Sequence, residues 1–392
     1  MNIGIDIRTL QIHSRYQGIG QYSRQLLIHL LREGSDEQFY LFKARGVPFC
    51  EEEIRNRCVC VDLIRPPEYG RFNEVWDWTL AFLDYRRRPL DVLHIPSIHH
   101  LSFHYPCPVV LTVHDLIPLV YPDDYMKTGL KHKILYRFAR RVNHVIAVSH
   151  STKSDIVRML KVPEERISVI YEAADPSCTP IRDPRFLQEV MSRYGIQGDF
   201  VLYVGGLSLH DPRKRIGLLL DSFSLLISSR RTPLSLVLAG KMGPYGEDLK
   251  KEVEQRGLTS RVCFTGYIPP ENLPPLYNAA RIFAYPSAYE GFGLPLVEAM
   301  ACGTPTVAFR NSSITEVVGD GGMLLDKEDP VALKEAMSAI LSSDEFASAL
   351  TQRALNQTQR FSWKETAVQT LEVYREVVKQ AGERRRGKGE RA

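Results

Sequence analysis

The sequence has little net charge and no long apolar run. Its 50 Lys and Arg residues nearly balance its 46 Asp and Glu residues, and the formal charge of +4 gives no electrostatic indication of nucleic-acid binding. No uninterrupted apolar stretch approaches the ~20 residues of a membrane-spanning helix. The opening residues, MNIGIDIRTL, lack the basic segment and the apolar segment of a secretory signal. We therefore expect a cytoplasmic protein that does not bind nucleic acid.

The cysteines and histidines lack the spacing of a metal or redox site. The chain has seven cysteines, and Cys58 and Cys60 are too close together for a C-x-x-C motif. Four histidines fall near one another, but no carboxylate or cysteine framework accompanies them: His94, His99, His100 and His104. We therefore predict free or structural thiols and no bound metal ion.

Short apolar runs alternate with longer helical patterns along the whole chain. This alternation is typical of α/β proteins built on parallel sheets, and 392 residues are enough for two domains. Strands are predicted at Ile3–Ile7, Phe39–Phe42, Val59–Leu63, Asp91–Ile95, Val109–Val113, Val145–Val148, Phe200–Val204, Leu234–Ala239, Val262–Phe264, Ile282–Tyr285 and Thr306–Phe309. Helices predicted between them include Gly20–Leu31, Ser151–Leu160, Ile216–Ile227 and Leu294–Ala301.

A proline-rich stretch separates the two halves. Pro176, Pro180 and Pro184 lie among polar and charged neighbours, as in an interdomain linker. We therefore predict an N-terminal domain at 1–178 and a C-terminal domain at 179–365. Residues 366–392 are predicted to form a helix that packs back on the N-terminal domain, followed by a basic tail.

The two halves open alike. Strand Ile3–Ile7 leads to a loop with Gly18 and Gly20, strand Phe200–Val204 leads to Gly205-Gly206, and a helix follows each loop. Backbone N–H groups at such a loop, with the dipole of the following helix, favour an anion such as phosphate. Ligands of open α/β sheets bind beyond the carboxyl ends of the strands, so two facing sheets would enclose a binding cleft.

The segment from Tyr285 to Gly303 has the most specific pattern in the chain. A buried strand is predicted to end at Tyr285, and Glu290 lies in the loop that follows. Pro295 stands where the first turn of a helix should be, and Gly303 stands where that helix should stop. Glu298 is thus expected about one turn into the helix.

Glu290 and Glu298 allow two functional interpretations. On one helix, their separation of eight residues would span ~12 Å, whereas the carboxylate pairs of glycoside hydrolases lie roughly 5–9.5 Å apart. The spacing suits two contacts with one long ligand, a sugar at one end and a ribose at the other. A helix N-terminus between them would face a diphosphate. Spacing alone equally allows two surface residues without a function.

The sequence EGFGLPLVEAMACGTP, residues 290–305, resembles the E-x7-E signature of glycosyltransferase family 4. Further motifs resemble this family in the expected order along nearly the whole chain: Gly4–Arg8 with Gly18–Gly20, His114–Leu116, Tyr203–Gly206 with Asp211–Lys214, and Asn311–Glu316. The resemblance implies the GT-B fold, in which two Rossmann-like domains face each other across a cleft. It also implies retention of the anomeric configuration and catalysis without a metal or other cofactor.

The resemblance further implies roles for individual residues. Glu290 would hold hydroxyls of the donor sugar, Glu298 would hold the ribose, and Arg213 and Lys214 would neutralise the diphosphate. Positioned cations stabilise the negative charge that develops on such a leaving group. The other donor-binding residues implied lie in the loops or at the start of the helices that follow them: Gly18, Gly20, Gly205, Gly206, Gly291, Phe292, Gly293 and Leu294.

His114 is the candidate site residue of the N-terminal half. It follows strand Val109–Val113 at the carboxyl end, where it would contact the transferred sugar or the attacking face. Asp115 and, in a donor-side loop, Glu316 are further candidates. The predicted catalytic set is therefore His114, Glu290, Arg213 and Lys214.

One position departs from the family pattern. Many members have an arginine just after the glycine of the loop that follows the first strand of the C-terminal domain, and Leu207 stands there in this sequence. The cations are instead the adjacent Arg213, Lys214 and Arg215. Which cation contacts which phosphate stays open.

These residues predict a retaining glycosyltransferase that moves a sugar from a nucleoside diphosphate to a hydroxyl of a glycan or lipid-linked acceptor. The His-Asp-Leu and Asp-Pro-Arg-Lys patterns resemble bacterial mannosyltransferases of surface-polysaccharide pathways, so GDP-mannose is the first candidate donor and a UDP-sugar the second. A glycoside hydrolase or phosphorylase, or a non-catalytic nucleotide-sugar-binding protein, is the alternative. A dinucleotide dehydrogenase fits less well, because neither half has G-x-G-x-x-G in a tight strand–helix setting.

Three basic segments bear on the acceptor. Lys127–Arg141 and Val75–Arg88, the latter with Trp76 and Trp78, are either core-facing helices with solvated edges or patches for peripheral contact with a membrane. The run Arg384–Lys388 is either a disordered, solvated tail or a contact with anionic lipid head groups. A membrane contact would place the enzyme at the inner face of the membrane and would suit a lipid-carried acceptor.

Overall fold

The chain forms two compact units in the computed structural model, which describes residues 1–11, 18–47, 54, 56–64, 79–125, 130–229 and 233–389. One unit comprises Met1–Glu172 with Ser362–Ala392, and the other comprises Ala173–Phe361. The chain thus passes between the units after Glu172 and after Phe361, where the sequence predicts boundaries after residues 178 and 365. Trp76, Trp78 and Lys127 lie outside the described residues.

The first unit is built on a parallel sheet with the strand order β3-β2-β1-β4-β5-β6-β7. Its strands are β1 (Asn2–Asp6), β2 (Gln38–Lys43), β3 (Val59–Asp62), β4 (Val92–Ile95), β5 (Val109–Val113), β6 (His144–Ala147) and β7 (Ile167–Val169). Strands β4 and β5 are buried at every position, as expected for central strands of a sheet that is covered on both faces. The strand order reverses between β1 and β4, and such a reversal is where open α/β sheets bind ligands.

Helices connect the strands of this unit. They are α1 (Gly18–Glu33), α2 (Ala81–Tyr85), α3 (Ile117–Val120), α4 (Pro122–Tyr125), α5 (Leu130–Ala139) and α6 (His150–Asp155), which continues as a π-helical turn at Ile156–Leu160. Helix α1 buries one face, with Leu26, Leu27, Leu30 and Leu31 at helical spacing. The carboxyl ends of the strands therefore lie next to the N-termini of the helices that follow them.

The second unit repeats this architecture with the strand order β10-β9-β8-β11-β12-β13. Its strands are β8 (Phe200–Val204), β9 (Ser235–Ala239), β10 (Val262–Gly266), β11 (Ile282–Tyr285), β12 (Thr306–Phe309) and β13 (Met323–Leu325). Its helices are α7 (Pro184–Arg193), α8 (Ile216–Ser228), α9 (Pro244–Gln255), α10 (Leu273–Ala279), α11 (Leu294–Ala301), α12 (Ile314–Val318), α13 (Pro330–Ser342) and α14 (Asp344–Thr358). Here the order reverses between β8 and β11.

The last helix, α15 (Trp363–Gly389), belongs to the first unit and packs against α1. Its buried side chains recur at helical spacing: Trp363, Ala367, Leu371 and Tyr374. The Tyr374 hydroxyl lies 2.6 Å from Nδ1 of the buried His94 on β4. The helix continues through Arg384–Lys388, so the disorder predicted for this run is wrong. The Lys, Arg and Glu residues around it have high helix propensity, which lets the helix continue.

Each strand predicted from the sequence is present, with its ends shifted by no more than two residues. The prediction of two Rossmann-like units on parallel sheets is therefore confirmed. Strands β7 and β13 were not predicted, because each is an edge strand of three residues and offers too short an apolar run. No helix among the described residues is both long and apolar enough to cross a membrane.

Two glycines of the second unit give a matched test of how closely the loops after β8 and β9 approach each other. A side chain at Gly240, directly after β9, would place its Cβ 1.8 Å from the carbonyl oxygen of Gly205. At Gly217, in the first turn of α8, the nearest atom would be 3.9 Å away. We expect Gly240→Ala to destabilise the unit by at least about 1–3 kcal/mol because the backbone must shift. Gly217→Ala should be neutral or stabilise by up to about 1 kcal/mol.

Urea denaturation of both variants and the unchanged chain measures this difference. Equal midpoints for the two variants would contradict the close approach of the loops after β8 and β9.

Candidate functional site

Three loops meet at the carboxyl ends of β8, β11 and β12, where the strand order of the second unit reverses. The first runs from Gly205 to Arg215, the second from Pro286 to Gly293, and the third from Arg310 to Ser313. Strands β8 and β12 both pair with β11, so the three loops emerge side by side. Most of the donor-binding residues predicted from the sequence lie on these loops.

The first loop begins in a tightly packed turn. A Cβ at Gly205 would lie 2.4 Å from the hydroxyl of the buried Tyr203, whereas a Cβ at Gly206 would meet nothing within 4 Å. The next residue, Leu207, is completely buried, and its N–H donates to the carbonyl of Lys241. Leu207 therefore packs in the core and cannot present a charge in place of the arginine that many family members have here.

The cations of this loop come from a short 3-10 turn at Pro212–Lys214. The turn is held against the second loop, because the Ala288 N–H donates to the Arg213 carbonyl at 2.7 Å. Arg213 Nη1 also donates to the Tyr289 carbonyl at 2.9 Å. Backbone contacts thus fix the position of the basic turn beside the loop that carries Glu290.

Glu290 lies at the centre of this arrangement and is only 8% exposed. Its Oε1 accepts hydrogen bonds from Lys214 Nζ at 2.6 Å, from the Ser287 hydroxyl at 2.6 Å and from the Tyr285 hydroxyl at 3.0 Å. Its Oε2 accepts one from Arg213 Nη1 at 3.0 Å. The carboxylate therefore joins the first loop to the second through two ion pairs.

The charge state of Glu290 follows from these partners. Burial would raise the pKa of this carboxyl, but the Lys214 ammonium and the Arg213 guanidinium outweigh burial and lower the pKa to about 2. Since the folded pKa lies below the ordinary value, the resulting stabilisation is present at neutral pH. It is lost as the pH falls from about 4.3 toward 2. Glu290 is thus ionised throughout the neutral range.

The two cations are balanced by two carboxylates. Arg213 Nη2 lies 2.9 Å from Asp211 in addition to its contact with Glu290. Burial lowers the pKa of Lys214, and the Glu290 charge opposes this effect. We take the Lys214–Glu290 pair as charged, since burying either partner alone would be costly. The cluster is formally neutral, with preformed cations in a fixed place.

Arg215, the third residue of the basic run, points elsewhere. Its guanidinium pairs with Glu328, and its backbone adopts a left-handed conformation with φ of 49° at the start of α8. The sequence left open which of the three adjacent cations serves the site. The structure directs two of them to Glu290 and the third away from it.

The third loop holds the backbone of the second. The Ser312 hydroxyl accepts from the Glu290 N–H at 2.9 Å, and Ser313 donates to the carbonyls of Glu290 at 2.9 Å and Phe292 at 3.0 Å. Ser312 has a φ of 37°, an uncommon backbone conformation for a residue other than glycine. Such strain persists where surrounding contacts fix it, often at functional sites. The sequence resemblance identified this segment but not these two serines.

The second loop ends at the N-terminus of α11. Gly293 precedes the helix with a φ of 100°, and Gly303 follows it with a φ of 80°, so both positions favour glycine. The Phe292 ring is buried and packs edge-on against Phe361, and Leu294 is buried as well. A ligand at this loop would therefore meet the backbone of Gly291–Gly293 and the helix N-terminus rather than these side chains.

Glu298 lies on α11, one turn from its start, and belongs to a separate hydrogen-bond network. The buried Tyr277 hydroxyl donates to its Oε2 at 3.0 Å. Burial raises the pKa of Tyr277, and the Glu298 charge raises it further, so this hydroxyl stays protonated. Glu316, the other predicted acid of this unit, lies in the first turn of α12 and is partly buried.

The first unit carries the remaining predicted residues. His114 follows β5, and its ring contacts Glu172 Oε1 at 2.9 Å and the Pro96 carbonyl at 3.0 Å. The neighbouring Asp115 accepts the Ile117 N–H at 2.9 Å, just before α3. Gly18 and Gly20 lie in the first turn of α1.

Sequence reasoning missed a buried ion pair at the carboxyl end of β1. Arg8 and Asp6 are both almost completely buried and lie 2.5 Å apart. Burial would raise the pKa of Asp6, but Arg8 and His100 outweigh burial and lower it to about 2. The Tyr85 hydroxyl also donates to Asp6 at 3.0 Å. The signal in the sequence is an Asp-x-Arg pair at the end of an apolar strand, within the segment Gly4–Arg8 that resembles the family.

The clustered histidines of this unit have partners of their own. His94 contacts the Thr112 hydroxyl at 2.8 Å through Nε2 and Tyr374 through Nδ1. Burial lowers the pKa of His94 to about 3, so this ring is neutral. In the part of the chain that the structure describes, no three His, Cys, Asp or Glu side chains are placed to share a metal ion.

Two family models match the two units in turn. The model described as Glycosyltransferase Family 4 matches residues 16–177, and the model described as Glycosyl transferases group 1 matches residues 195–357. Together they cover the residues of both units that the sequence resemblance singled out, except the opening segment Gly4–Arg8.

Relatives extend the match over nearly the whole chain. The O-antigen chain mannosyltransferase B of Escherichia coli is 31% identical over 384 residues, which cover 91% of this chain and 96% of that protein. The O-antigen chain mannosyltransferase RfbU of Salmonella typhimurium is 29% identical over 245 residues, 62% of each protein.

A solved structure shares the fold. The Anabaena protein HepE, crystallised with UDP and glucose, is similar with a TM-score of 0.73 over 95% of this chain and 98% of that one, at 20% sequence identity. At this identity the likeness establishes the GT-B fold alone. With the family models and the full-length relative, it shows that the chain belongs to glycosyltransferase family 4 and is a glycosyltransferase with the GT-B fold.

Proposed function

We propose that this glycosyltransferase moves a sugar from a nucleoside diphosphate sugar to a hydroxyl of a glycan or lipid-linked acceptor, with retention and without a metal or other cofactor. The observation that carries the proposal is the buried Glu290 carboxylate, bound by Lys214 and Arg213 beside the N-terminus of α11. The cluster combines an acceptor for sugar hydroxyls with cations for a diphosphate.

The charges of the cluster suit a diphosphate leaving group. Breaking the bond between the anomeric carbon and the phosphate oxygen places additional negative charge on the diphosphate. Fixed cations and helix N–H groups that face this charge stabilise the transition state more than the ground state. Since Arg213 and Lys214 are already held by Glu290 and by backbone contacts, they need little reorganisation when the charge develops.

The donor sugar would interact with Glu290 and the ribose with Glu298. Three hydrogen bonds already reach Glu290 Oε1, whereas Oε2 receives one from Arg213. Since a carboxylate oxygen has two lone pairs, Oε2 is the atom with room for a sugar hydroxyl. Glu298 on α11, which already accepts a hydrogen bond from the Tyr277 hydroxyl, is a second acceptor for a hydroxyl at the other end of the ligand.

For the donor, GDP-mannose is the first choice and a UDP-sugar the second. Two relatives bear the name of O-antigen chain mannosyltransferases, which favours mannose. HepE, whose fold is similar, was crystallised with UDP and glucose, which makes a UDP-sugar the second candidate donor. The acceptor is a hydroxyl-bearing glycan, free or carried on a lipid at a membrane surface.

The reaction we propose needs no covalent intermediate with the protein. The acceptor oxygen attacks the anomeric carbon on the face from which the diphosphate departs, and the new glycosidic bond forms as the old one breaks. The proton of the acceptor hydroxyl passes to an oxygen of the departing phosphate. The protein's part is to hold the two reactants and to stabilise the diphosphate charge.

A donor panel tests this function directly. We expect the purified chain to release GDP from GDP-mannose faster than it releases UDP from UDP-sugars, and to do so only when a lipid-linked or soluble saccharide acceptor is present. Coupled assays of nucleotide release, with and without acceptor and with and without a chelator, measure this. Hydrolysis or phosphorolysis of a glycoside without any nucleotide donor would indicate a glycoside hydrolase or phosphorylase instead. Donor binding without turnover would indicate a non-catalytic nucleotide-sugar-binding protein.

Lys214→Met tests whether the Lys214 charge contributes to catalysis. The variant keeps the apolar stem but removes the charge that faces the diphosphate, so we expect turnover to fall about 100- to 1,000-fold. Steady-state kinetics with the best donor measure the loss, and thermal unfolding verifies the fold.

The matched control is Arg215→Asn in the same basic run. Its guanidinium pairs with Glu328, and asparagine tolerates the left-handed backbone at this position. Turnover within about threefold of the unchanged chain is expected there. Equal losses in both variants would show that the basic run acts only through its overall charge.

Glu290→Gln distinguishes contact with the sugar from attraction of the diphosphate. Removing one negative charge from a formally neutral cluster leaves it positive, so binding of GDP or UDP alone should be unchanged or tighter. Turnover should still fall about 100-fold or more, because the sugar loses its charged partner. Calorimetry of nucleotide binding beside steady-state kinetics measures both effects. Turnover close to that of the unchanged chain would remove Glu290 from the catalytic set.

A further inference from the structure

Tyr285, at the end of β11, contacts both partners of the central ion pair of the second unit. Its hydroxyl donates to Glu290 Oε1 at 3.0 Å and accepts from Lys214 Nζ at 2.9 Å. Lys214 Nζ also donates directly to the same carboxylate oxygen at 2.6 Å. The three side chains therefore form a closed triangle of hydrogen bonds. The sequence resemblance implied roles for Lys214 and Glu290 but none for Tyr285.

The direction of each hydrogen bond in the triangle follows from the hydrogens available. The pKa of Glu290 is about 2, so this carboxyl is ionised and its oxygens can only accept. Burial raises the pKa of Tyr285 well above its ordinary value, and the Glu290 charge raises it further, so the hydroxyl keeps its one hydrogen. Since that hydrogen goes to Glu290, the lone pairs of the hydroxyl accept from Lys214.

The triangle uses two of the three hydrogens of the Lys214 ammonium. One is directed to Glu290 and one to Tyr285, and the third has no acceptor among the described residues. The Lys214 side chain is 13% exposed, so a ligand can reach it. A phosphate oxygen is an acceptor of the required kind, and a lysine ammonium binds phosphate as a compact charge.

Tyr285 itself cannot contact a ligand, because it is only 1% exposed. Its ring packs nearly parallel to the rings of Tyr203 and Phe283, with centroids 6.0 Å and 5.7 Å away. This packing fixes the ring and, with it, the position of the hydroxyl. An effect of the Tyr285 hydroxyl on a ligand must therefore act through Lys214 or Glu290.

We propose that Tyr285 is a positioning residue that fixes the rotation of the Lys214 ammonium, so that its third hydrogen faces a phosphate oxygen of the bound nucleoside diphosphate. This inference rests on the proposed function, since it takes the diphosphate to bind beside Lys214. Without the hydroxyl, Lys214 keeps its pair with Glu290, but its other two hydrogens are free to rotate. A donor that must reorient during the reaction stabilises the departing diphosphate less than a fixed one.

A double-mutant cycle with Lys214→Met tests whether Tyr285 acts through Lys214. In the unchanged chain, Tyr285→Phe should lower kcat about tenfold and leave KM for the donor within about threefold, because orientation matters most where charge develops. In the Lys214→Met chain, the same substitution should lower kcat less than about twofold. Steady-state kinetics of the four chains measure these effects. A tenfold loss in both backgrounds, or a change in KM alone, would contradict the proposal.

The matched control removes the same atom from the neighbouring ring. Tyr203 is completely buried beside Tyr285, and its hydroxyl has no hydrogen-bond partner in the part of the chain that the structure describes. Tyr203→Phe should therefore leave kcat and KM within about twofold of the unchanged chain. If Tyr203→Phe lost as much turnover as Tyr285→Phe, the loss would reflect disturbed ring packing and the role of Tyr285 would be refuted.

A second measurement needs no turnover. The full chain is labelled with ¹⁵N-lysine, and the Lys214 Nζ signal is assigned by its loss in Lys214→Met. Ammonium hydrogens that are held in hydrogen bonds exchange slowly with water. We therefore expect a sharp ammonium signal in the unchanged chain and in Tyr203→Phe, and a broadened one in Tyr285→Phe. Equally fast exchange in all three chains, or the signal of a neutral amine in the unchanged chain, would overturn the inference.

Addition of GDP or UDP tests the contact with the diphosphate and separates this inference from the proposed function. Either nucleotide should shift the Lys214 Nζ signal of the unchanged chain, and the absence of a shift with both would refute the contact, even if Tyr285→Phe folds poorly. If the signals behave as expected but no donor supports turnover, the proposed function fails and the Tyr285–Lys214 assignment stands. If donors are turned over but the cycle is additive, the function stands and the role of Tyr285 fails.

Discussion

The Glu290 carboxylate is the constraint on which the second unit depends. An ionised carboxylate that is 8% exposed is stable only beside opposite charge, and Lys214 and Arg213 provide it from another loop. Those loops can meet only because β8 and β11 are neighbours where the sheet order reverses. The same buried pairs that hold the loops together also fix cations in place before any substrate binds. Packing and chemistry thus share one set of contacts.

The first unit also has pairs of buried polar side chains at the carboxyl edge of its sheet. Asp6, the last residue of β1, pairs with Arg8, and His114 after β5 contacts Glu172 after β7. Each pair is buried, and each lies at the carboxyl edge of a parallel sheet. The reaction we propose requires control of charge while a diphosphate departs. Holding Lys214 and Arg213 in ion pairs with Glu290 limits the reorganisation needed during that reaction.

In the second unit, the sequence predicted the site residues but not which side chains they contact. The E-x7-E segment with its glycines specified a strand, a loop and a helix, and all three are present with the predicted bounds. Local propensity and backbone constraint suffice for this, because Gly293 and Gly303 adopt left-handed conformations. The sequence also identified the basic run Arg213–Arg215, but it did not show that Arg215 pairs with Glu328. The partner of each cation depends on the direction of its side chain in a short turn.

By itself, the sequence determined the class of fold, the order of the strands along the chain and the family, because apolar periodicity and glycine positions are local properties. Only the tertiary structure decided which polar side chains meet. Glu290 with Lys214, His114 with Glu172, and Tyr374 with His94 are separated by 76, 58 and 280 positions. A sequence pattern cannot pair residues across such distances, because their contact is set by the strand order and by the burial that makes an unpaired charge unstable.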